Sequence, residues 1–447
     1  MMTLARNERD ELAELDITSM PRYIQHGYPW EAWDRMRQLA PVYWYEGRPR
    51  FEPFWAVTGY EQIRFVGSHP DLFSNIGVIR LDTVNGLNRL DAYRRRRAER
   101  HGWDPEAPLD MLYTDRPEHL DLRMLSVRRF TPRAMNRLSS HIDGLAAGFV
   151  ADFVAKAKAA APEPIDVVEN LSVPMPIATL CGLLGVPTED WERIRRWSDV
   201  LLLTPDMSDP EVRPGEGPAD FRRRLGQEYH AYREELWEAG RRRDPDTAQD
   251  LVTLLAHATI AGVPLRADQW HGYLELLVGG GNETTRNTIT GGVLALLQHP
   301  DQATALAEDP AGLADRAAEE ILRWVSPVIQ FARTARVDVE LGGATIHAGD
   351  TVVVWYPSGN RDENQFPDPY RFDVSRADNV HLTFGHGEHF CLGANLARWE
   401  LRAIFRELAP HLADLDLAGE PERMAGLHVG AVKSLPVRWV GRARMSR

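Results

Sequence analysis

Cysteine is scarce: Cys181 and Cys391 are the only two in 447 residues, too few for a disulfide framework. Long apolar runs are missing near the N-terminus, where Met1 to Asp16 is charged, so no signal peptide or membrane anchor is expected and the protein should be cytoplasmic. No Gly/Ser-rich linker, low-complexity block or internal repeat divides the chain. Length alone would allow two or three ordinary domains, but without a boundary signal one large domain is the simpler organisation. Positive charge is in deficit, with 52 basic against 65 acidic residues and a net charge of -13. That argues against a general nucleic-acid binder while leaving local basic patches open. With 43% hydrophobic and 26% charged residues, the composition is that of a soluble globular protein whose core is large enough to enclose a cofactor.

What the chain does carry is a glycine-punctuated loop near its C-terminus, Phe384-Gly385-His386-Gly387-Glu388-His389-Phe390-Cys391-Leu392-Gly393. Gly385 and Gly387 permit positive φ and a close approach of the backbone to a flat cofactor. Behind the loop, Ala397, Leu401, Ile404, Phe405 and Leu408 repeat at helical spacing. The Cys391 sulfur should therefore face a helix N-terminus, whose amides and dipole favour an anion. A thiolate there suits haem iron and oxygen activation, whereas histidine ligation suits reversible binding. Two other readings stay open on the loop alone: a small buried cysteine, or a zinc site with His381, His386 and His389. Zinc prefers neighbouring ligands separated by two to four residues, and only His386 and His389 meet that near the cysteine.

A second cluster lies in mid-chain, where Trp270, Tyr273, Leu274, Leu277 and Val278 form an apolar helical stripe running into Gly279-Gly280-Gly281-Asn282-Glu283-Thr284-Thr285. Each glycine inside a helix costs about 0.8 to 1 kcal/mol against alanine, so a widened groove or kink beside a ligand is the expected compensation. A phosphate-binding loop would need a following Gly-Lys-Ser/Thr, which is absent; an ordinary glycine-rich break is the other alternative. Further on, Glu320 and Arg323 share a helical face, a spacing that on a solvated helix contributes only about 0 to 1 kcal/mol. His119 and Arg123, four residues apart, place two donors on one face where they can grip carboxylates.

Along the chain, residues 1 to about 25 read as a surface tail leading into a helix near Glu31 to Leu39, then strands at Val42 to Tyr45 and Phe54 to Val57. From Glu61 to about Trp324 helical periodicity dominates, broken by proline-rich loops such as Thr204 to Pro218. Strand patterns return at Val337 to Leu341, Thr345-Ile346, Thr351 to Trp355 and Leu435 to Val440, with turns at Gly342-Gly343 and Gly349-Asp350. The expected fold is mainly α with a smaller β region.

The ordered motifs resemble the cytochrome P-450 family, soluble bacterial type, whose haem-binding loop has the form F-x-x-G-x-x-x-C-x-G with histidine two places before the cysteine. The resemblance implies a triangular fold, with residues 26 to 447 forming a single domain around one haem b held by the Cys391 thiolate. It implies dioxygen as co-substrate, with Gly280 giving it room and Glu283 and Thr284 as the acid-alcohol pair that manages protons. A hydroxyl at that place helps protons reach the distal oxygen, and Asn282 can support ordered water. By the same likeness Glu320 and Arg323 lock the core to Asn360-Arg361-Asp362, Phe366 to Pro369 and Arg371-Phe372-Asp373. His119, Arg123, Arg333 and His389 take the haem propionates, and Phe384 and Gly393 flank the cofactor. Substrate positions carried over are Ile76, Val78, Ile79, Leu276, Gly280, Val328, Ile329, Phe331, Leu427 and Val429, with Gln330 and His428 orienting any polar end.

Such lining suits a mostly apolar small molecule, and the Gly281-to-Asn287 run looks like that of bacterial steroid, branched-lipid and terpenoid hydroxylases. The activity implied is monooxygenation by a monomer fed by ferredoxin and ferredoxin reductase, since the chain contains no flavin or iron-sulfur segment. Arg128, Arg129, Arg133, Arg398 and Arg402 are expected on a basic face for an acidic ferredoxin. A peroxide-driven peroxygenase and a non-enzymatic haem-thiolate sensor are the alternatives; the retained Glu283-Thr284 pair speaks against the first and the lack of a signalling module against the second. The Arg94 to Arg97 run, with Arg100, reads as a solvated helix face.

Overall fold

A computed structural model of the protein describes residues 6–46, 48, 50–202, 211–424 and 426–441. Part of the Thr204 to Pro218 loop lies outside the described residues. The first surprise is at the N-terminus. Residues expected as a surface tail form α1 (Arg6–Glu14) and α2 (Met20–His26). Leu12 and Ile17 are fully buried and Tyr23 nearly so, packed in one apolar cluster with Trp33 and Trp355. Two apolar side chains in a charged stretch give little periodicity to read, yet burying each contributes about 1.5 to 3 kcal/mol.

The helices that build the site follow in chain order: α3 (Tyr60–Ser68), α4 (Val84–His101), α5 (Glu118–Met124), α6 (Pro132–Ala160), α7 (Pro218–Arg242), α8 (Ala267–Gln298), α9 (Pro310–Val325) and α10 (Ala394–Leu408). Local chemistry sets several of their starts. Thr131 caps α6 by accepting from the Ala134 amide, with Pro132 at the first helical position, where its missing N–H costs nothing. Asp309 caps α9 through the Gly312 amide at 2.9 Å. The 32-residue α8 runs unbroken through Gly279, Gly280 and Gly281. Its stripe of Trp270, Tyr273, Leu274, Leu277 and Val278 is buried, and at about 1.5 to 3 kcal/mol per side chain that outweighs three glycine penalties of about 1 kcal/mol.

The β region is small. Strands β1 (Val42–Tyr45), β2 (Phe54–Val57), β3 (Phe73–Ser74), β4 (Gln330–Ala335) and β5 (Thr351–Trp355) form one sheet in the order β1-β2-β5-β4-β3. β5 runs parallel to β2 and antiparallel to β4. The expected turn glycines Gly342, Gly343 and Gly349 all have positive φ, and Pro436–Trp439 supplies the late strand.

A fully buried ion pair ties α9 to the segment before the cysteine loop. Glu320 accepts from Arg323 Nη2 at 2.7 Å and Nε at 2.8 Å, with both side chains at 0% exposure. Arg323 spends its other donors on the carbonyls of Asn360, Pro369 and Arg371. Glu320 also accepts from the Asp373 amide and Asn379 Nδ2, each at 3.0 Å. In this geometry nearly every polar atom of the pair is satisfied, the condition under which two buried charges are tolerated.

Candidate active site

One cavity is lined jointly by α5, α8, α9, β4 and the loop preceding α10. His119 and Arg123 reach it from α5, Leu276, Gly280, Thr284 and Thr285 from α8, and Phe331 and Arg333 from β4. The loop contributes Phe384, Gly385, His386, His389, Cys391 and Gly393. Val328 also lines it. Other expected substrate positions lie elsewhere. Ile329 and Leu427 are core residues of the cluster around Trp355, with Val78 packed against it. Ile79 is buried, its carbonyl accepting from the Ala332 amide at 2.8 Å. Ile76 is 59% exposed, and Val429 pairs with Val328 as an isolated bridge. Gln330 is fully buried and bonds both backbone groups of Leu81, while His428 Nδ1 contacts the Gln330 carbonyl. Both hold the sheet and do not line the cavity.

Backbone packing explains the glycines of the loop. Gly385 and Gly387 have φ of 72° and 83°. A Cβ on Gly387 would stand 1.8 Å from the Gly67 carbonyl oxygen in α3, and one on Gly67 would stand 2.6 Å from the His386 carbonyl oxygen. The loop is thus pressed on α3 through two facing glycines. Gly280 is glycine for another reason: a Cβ there meets nothing within 4 Å, because it faces the cavity.

Cys391 is accessible from the cavity and carries the Cys391 N–H···O=C Phe384 bond of 2.9 Å. Burial pushes its thiol up, against the pull of the Gly393 amide, Arg123, Arg398 and the Ala394 amide. The helix end therefore supplies the expected donors without outweighing desolvation; a bound cation would reverse the balance, since a metal-coordinated thiol is deprotonated outright. The zinc alternative does not assemble. Among the described residues, the His/Cys/Asp/Glu groups that converge within 4.8 Å are His119-Glu388-His389 and His230-Glu234-His271, and Cys391 is in neither. His381 contacts Glu319 at 3.2 Å.

On α8, Thr284 Oγ1 donates to the Gly280 carbonyl at 2.7 Å. Glu283 does not line the cavity; burial raises its carboxyl, opposed by Arg286. Asn282 is 1% exposed and donates to Ser198 Oγ at 2.9 Å, so it is not turned toward the cavity. Sequence reasoning missed Glu400 of α10, which lines the cavity at 2% exposure. It bonds Thr179 and Thr285, and burial pushes its carboxyl up to about 8. The readable signal was a carboxylate set between Ala397 and Ile404 on the apolar stripe.

The cytochrome P-450 family model matches residues 223–409. A methyl-branched lipid omega-hydroxylase of Mycobacterium tuberculosis is 36% identical over 437 residues, covering 96% of this chain and 94% of the relative. This chain belongs to the cytochrome P-450 family. A linalool 8-monooxygenase of Pseudomonas putida is 33% identical over 435 residues, covering 96% and 98%. In structure, a Mycobacterium marinum cytochrome P-450 in complex with pseudoionone matches with a TM-score of 0.81 at 32% identity, covering 95% of this chain and 98% of that one. The fold is the family's, and the enzyme class is that of a cytochrome P-450 monooxygenase. No helix among the described residues is long and apolar enough to cross a membrane.

The family implies a haem-thiolate cofactor and dioxygen, and the lining of this cytochrome P-450 fits such a group. Arg333 is 7% exposed and makes no ion pair with a carboxylate among the described residues; its one bond is to the Ala332 carbonyl. His389 leaves both ring nitrogens without a hydrogen bond of normal geometry, its ring 3.8 Å from that of His119. Burial lowers both histidines, His389 to about 2. A buried guanidinium without an ion pair beside a buried imidazole whose hydrogen bonding is poor is costly by itself, and carboxylates of a bound cofactor would answer it. Arg123 differs: it donates to the Phe390 carbonyl at 2.7 Å.

Proposed function

We propose that Cys391 is the thiolate ligand of a haem b in this cavity, and that the enzyme hydroxylates a mostly apolar lipid, steroid or terpenoid-like molecule with electrons from a ferredoxin. The observation that carries it is the meeting of Cys391, the unpaired Arg333 and the ligand-facing Gly280 in one lined space. Thiolate-ligated haem supplies dioxygen activation when bound. The chain's own part is positioning and proton handling. Arg333, His119 and His389 would hold the carboxylates of the cofactor. Leu276, Val328 and Phe331 exclude water and present an apolar wall to substrate.

The Thr284 hydroxyl, which rests on the Gly280 carbonyl, would be the proton donor facing the cavity, and Glu283, one residue before it on α8, would resupply its proton. Glu283 suits that part because burial raises its carboxyl, easing protonation. The named substrates of the relatives, methyl-branched lipid, steroid and linalool, support the substrate class. For the electron partner, Arg128 and Arg133 are exposed. Arg398 and Arg402 pair with Glu319 and Asp315 at 2.7 and 2.8 Å, which weakens their share of the basic face.

The test is the absorption of dithionite-reduced, carbon-monoxide-treated protein. Wild type should show the far-red-displaced band of thiolate-ligated haem, and Cys391→Ser should lose it. A band retained in the variant overturns the assignment.

A further inference from the structure

Apart from the Cys391 cavity, three ligating side chains on two helices converge. His230 and Glu234 stand one turn apart on α7, and His271 meets them from α8. One ligand atom from each lies within 4.8 Å of the others. Glu234 Oε1 is 2.5 Å from His271 Nε2 and 3.8 Å from His230 Nε2. We propose that His230, Glu234 and His271 form a site for a divalent transition-metal ion of the zinc type, joining α7 to α8.

Donor chemistry selects the ion. Two imidazoles and one carboxylate match a three-ligand zinc set with a fourth position left to water, and nitrogen donors disfavour magnesium and calcium. Zinc takes nitrogen at about 2.0 to 2.1 Å and oxygen at about 2.0 to 2.2 Å, so the 2.5 Å contact opens slightly and the 3.8 Å contact closes. The imidazoles of His230 and His271 lie 4.5 Å apart and 25° from parallel, and His230 turns its ring out of the stack to aim Nε2. His230 also stacks on His101 at 4.1 Å, so that turn leaves both rings; its side chain is 22% exposed and Glu234's is 48% exposed.

Two features limit the affinity. Arg233 and Arg97 place positive charge near His271, with Arg233 paired to Glu275 at 3.1 Å. His271 Nδ1 has no partner, and loss of such an outer contact typically weakens metal binding 10- to 100-fold. Binding on the order of micromolar is therefore expected rather than the far tighter grip of a closed structural site. An ion here bears on α8 nine residues before Gly280, about 14 Å along the helix.

The experiment is calorimetric titration of tag-free, haem-loaded protein with zinc chloride, alongside thermal unfolding with and without zinc. Wild type should bind one equivalent and gain thermal stability, and millimolar magnesium should not compete. Glu234→Gln and His230→Ala, both at partly exposed positions, should each weaken binding at least 10-fold and abolish the gain. His347→Ala, at an exposed histidine near Asp338, should change nothing. No saturable binding, or binding undiminished in both Glu234→Gln and His230→Ala, overturns the proposal, the latter by placing the ion elsewhere.

Discussion

Replacing Glu320 by Gln keeps the shape of the side chain and removes its charge. One carboxylate oxygen becomes an NH₂ group aimed at donors, because Oε1 serves Arg323 Nη2 and the Asp373 amide while Oε2 serves Arg323 Nε and Asn379 Nδ2. The Arg323 guanidinium stays buried at 0% exposure with its counter-charge gone. Breaking a buried pair from one side costs about 3 to 5 kcal/mol. An unfolding entropy near 2.1 cal/mol/K per residue gives roughly 0.9 kcal/mol per kelvin for a chain of this length, hence a fall in Tm of roughly 3 to 5 °C. The same change weakens the anchor that aims Arg323 at the carbonyls of Asn360, Pro369 and Arg371, so haem content should fall with stability. The assay is thermal unfolding by circular dichroism beside the reduced carbon-monoxide spectrum. Arg64→Ala, which removes an exposed pair with Glu61, serves as the reference and should shift Tm by about 1 °C or less. If Glu320→Gln unfolds within a degree of wild type with full haem, the pair does not hold the segment before the cysteine loop as argued.

Thr284→Ala should keep haem and substrate binding but release reduced oxygen without product; full coupling of product to nicotinamide consumed removes Thr284 from proton handling. Gly280→Ala should raise stability by about 0.8 to 1 kcal/mol yet weaken the substrate-induced Soret shift, since its methyl enters the cavity. Gly387→Ala, by contrast, should yield little folded protein, because its Cβ meets the Gly67 carbonyl at positive φ; soluble expression compares the two. For Glu400, the folded carboxyl titrates at about 8 against 4.5 ordinarily, so its stabilising contribution is full below pH about 4.5 and is lost as pH rises toward 8. Melting curves at pH 5 and 8 should show Glu400→Gln gaining on wild type at the higher pH, and parallel curves would refute it.

Sequence motifs located the cavity lining better than its surroundings. Cys391, Arg333, His119, His389, Gly280 and Thr284 come together because each sits at a fixed place in a local pattern of glycine, donor and helix start. The patterns of β1, β2 and β5 were visible in their residue types, those of the 339–346 hairpin in its turn glycines, and the α8 stripe in its apolar spacing, whereas β3 and β4 went unseen. What failed was long-range. Ile329 and Leu427 are as apolar as Val328, and nothing in the chain tells a wall residue from a core residue one position along; β4 alternates, and only its register against β5 decides which side faces the cavity. The N-terminal helices were hidden because their burial comes from Trp33 and Trp355 rather than from their own periodicity. Glu283 keeps its place beside Thr284 but not in the cavity, since successive residues on a helix point about a quarter-turn apart.

The seam at Gly67 and Gly387 sets a rule for engineering. Neither backbone can retreat when the other gains a side chain, so the ten residues around Cys391 are not a portable cassette. A graft of that loop into another helical scaffold must bring the 60–68 helix with it, or the loop will arrive without the surface it is pressed against.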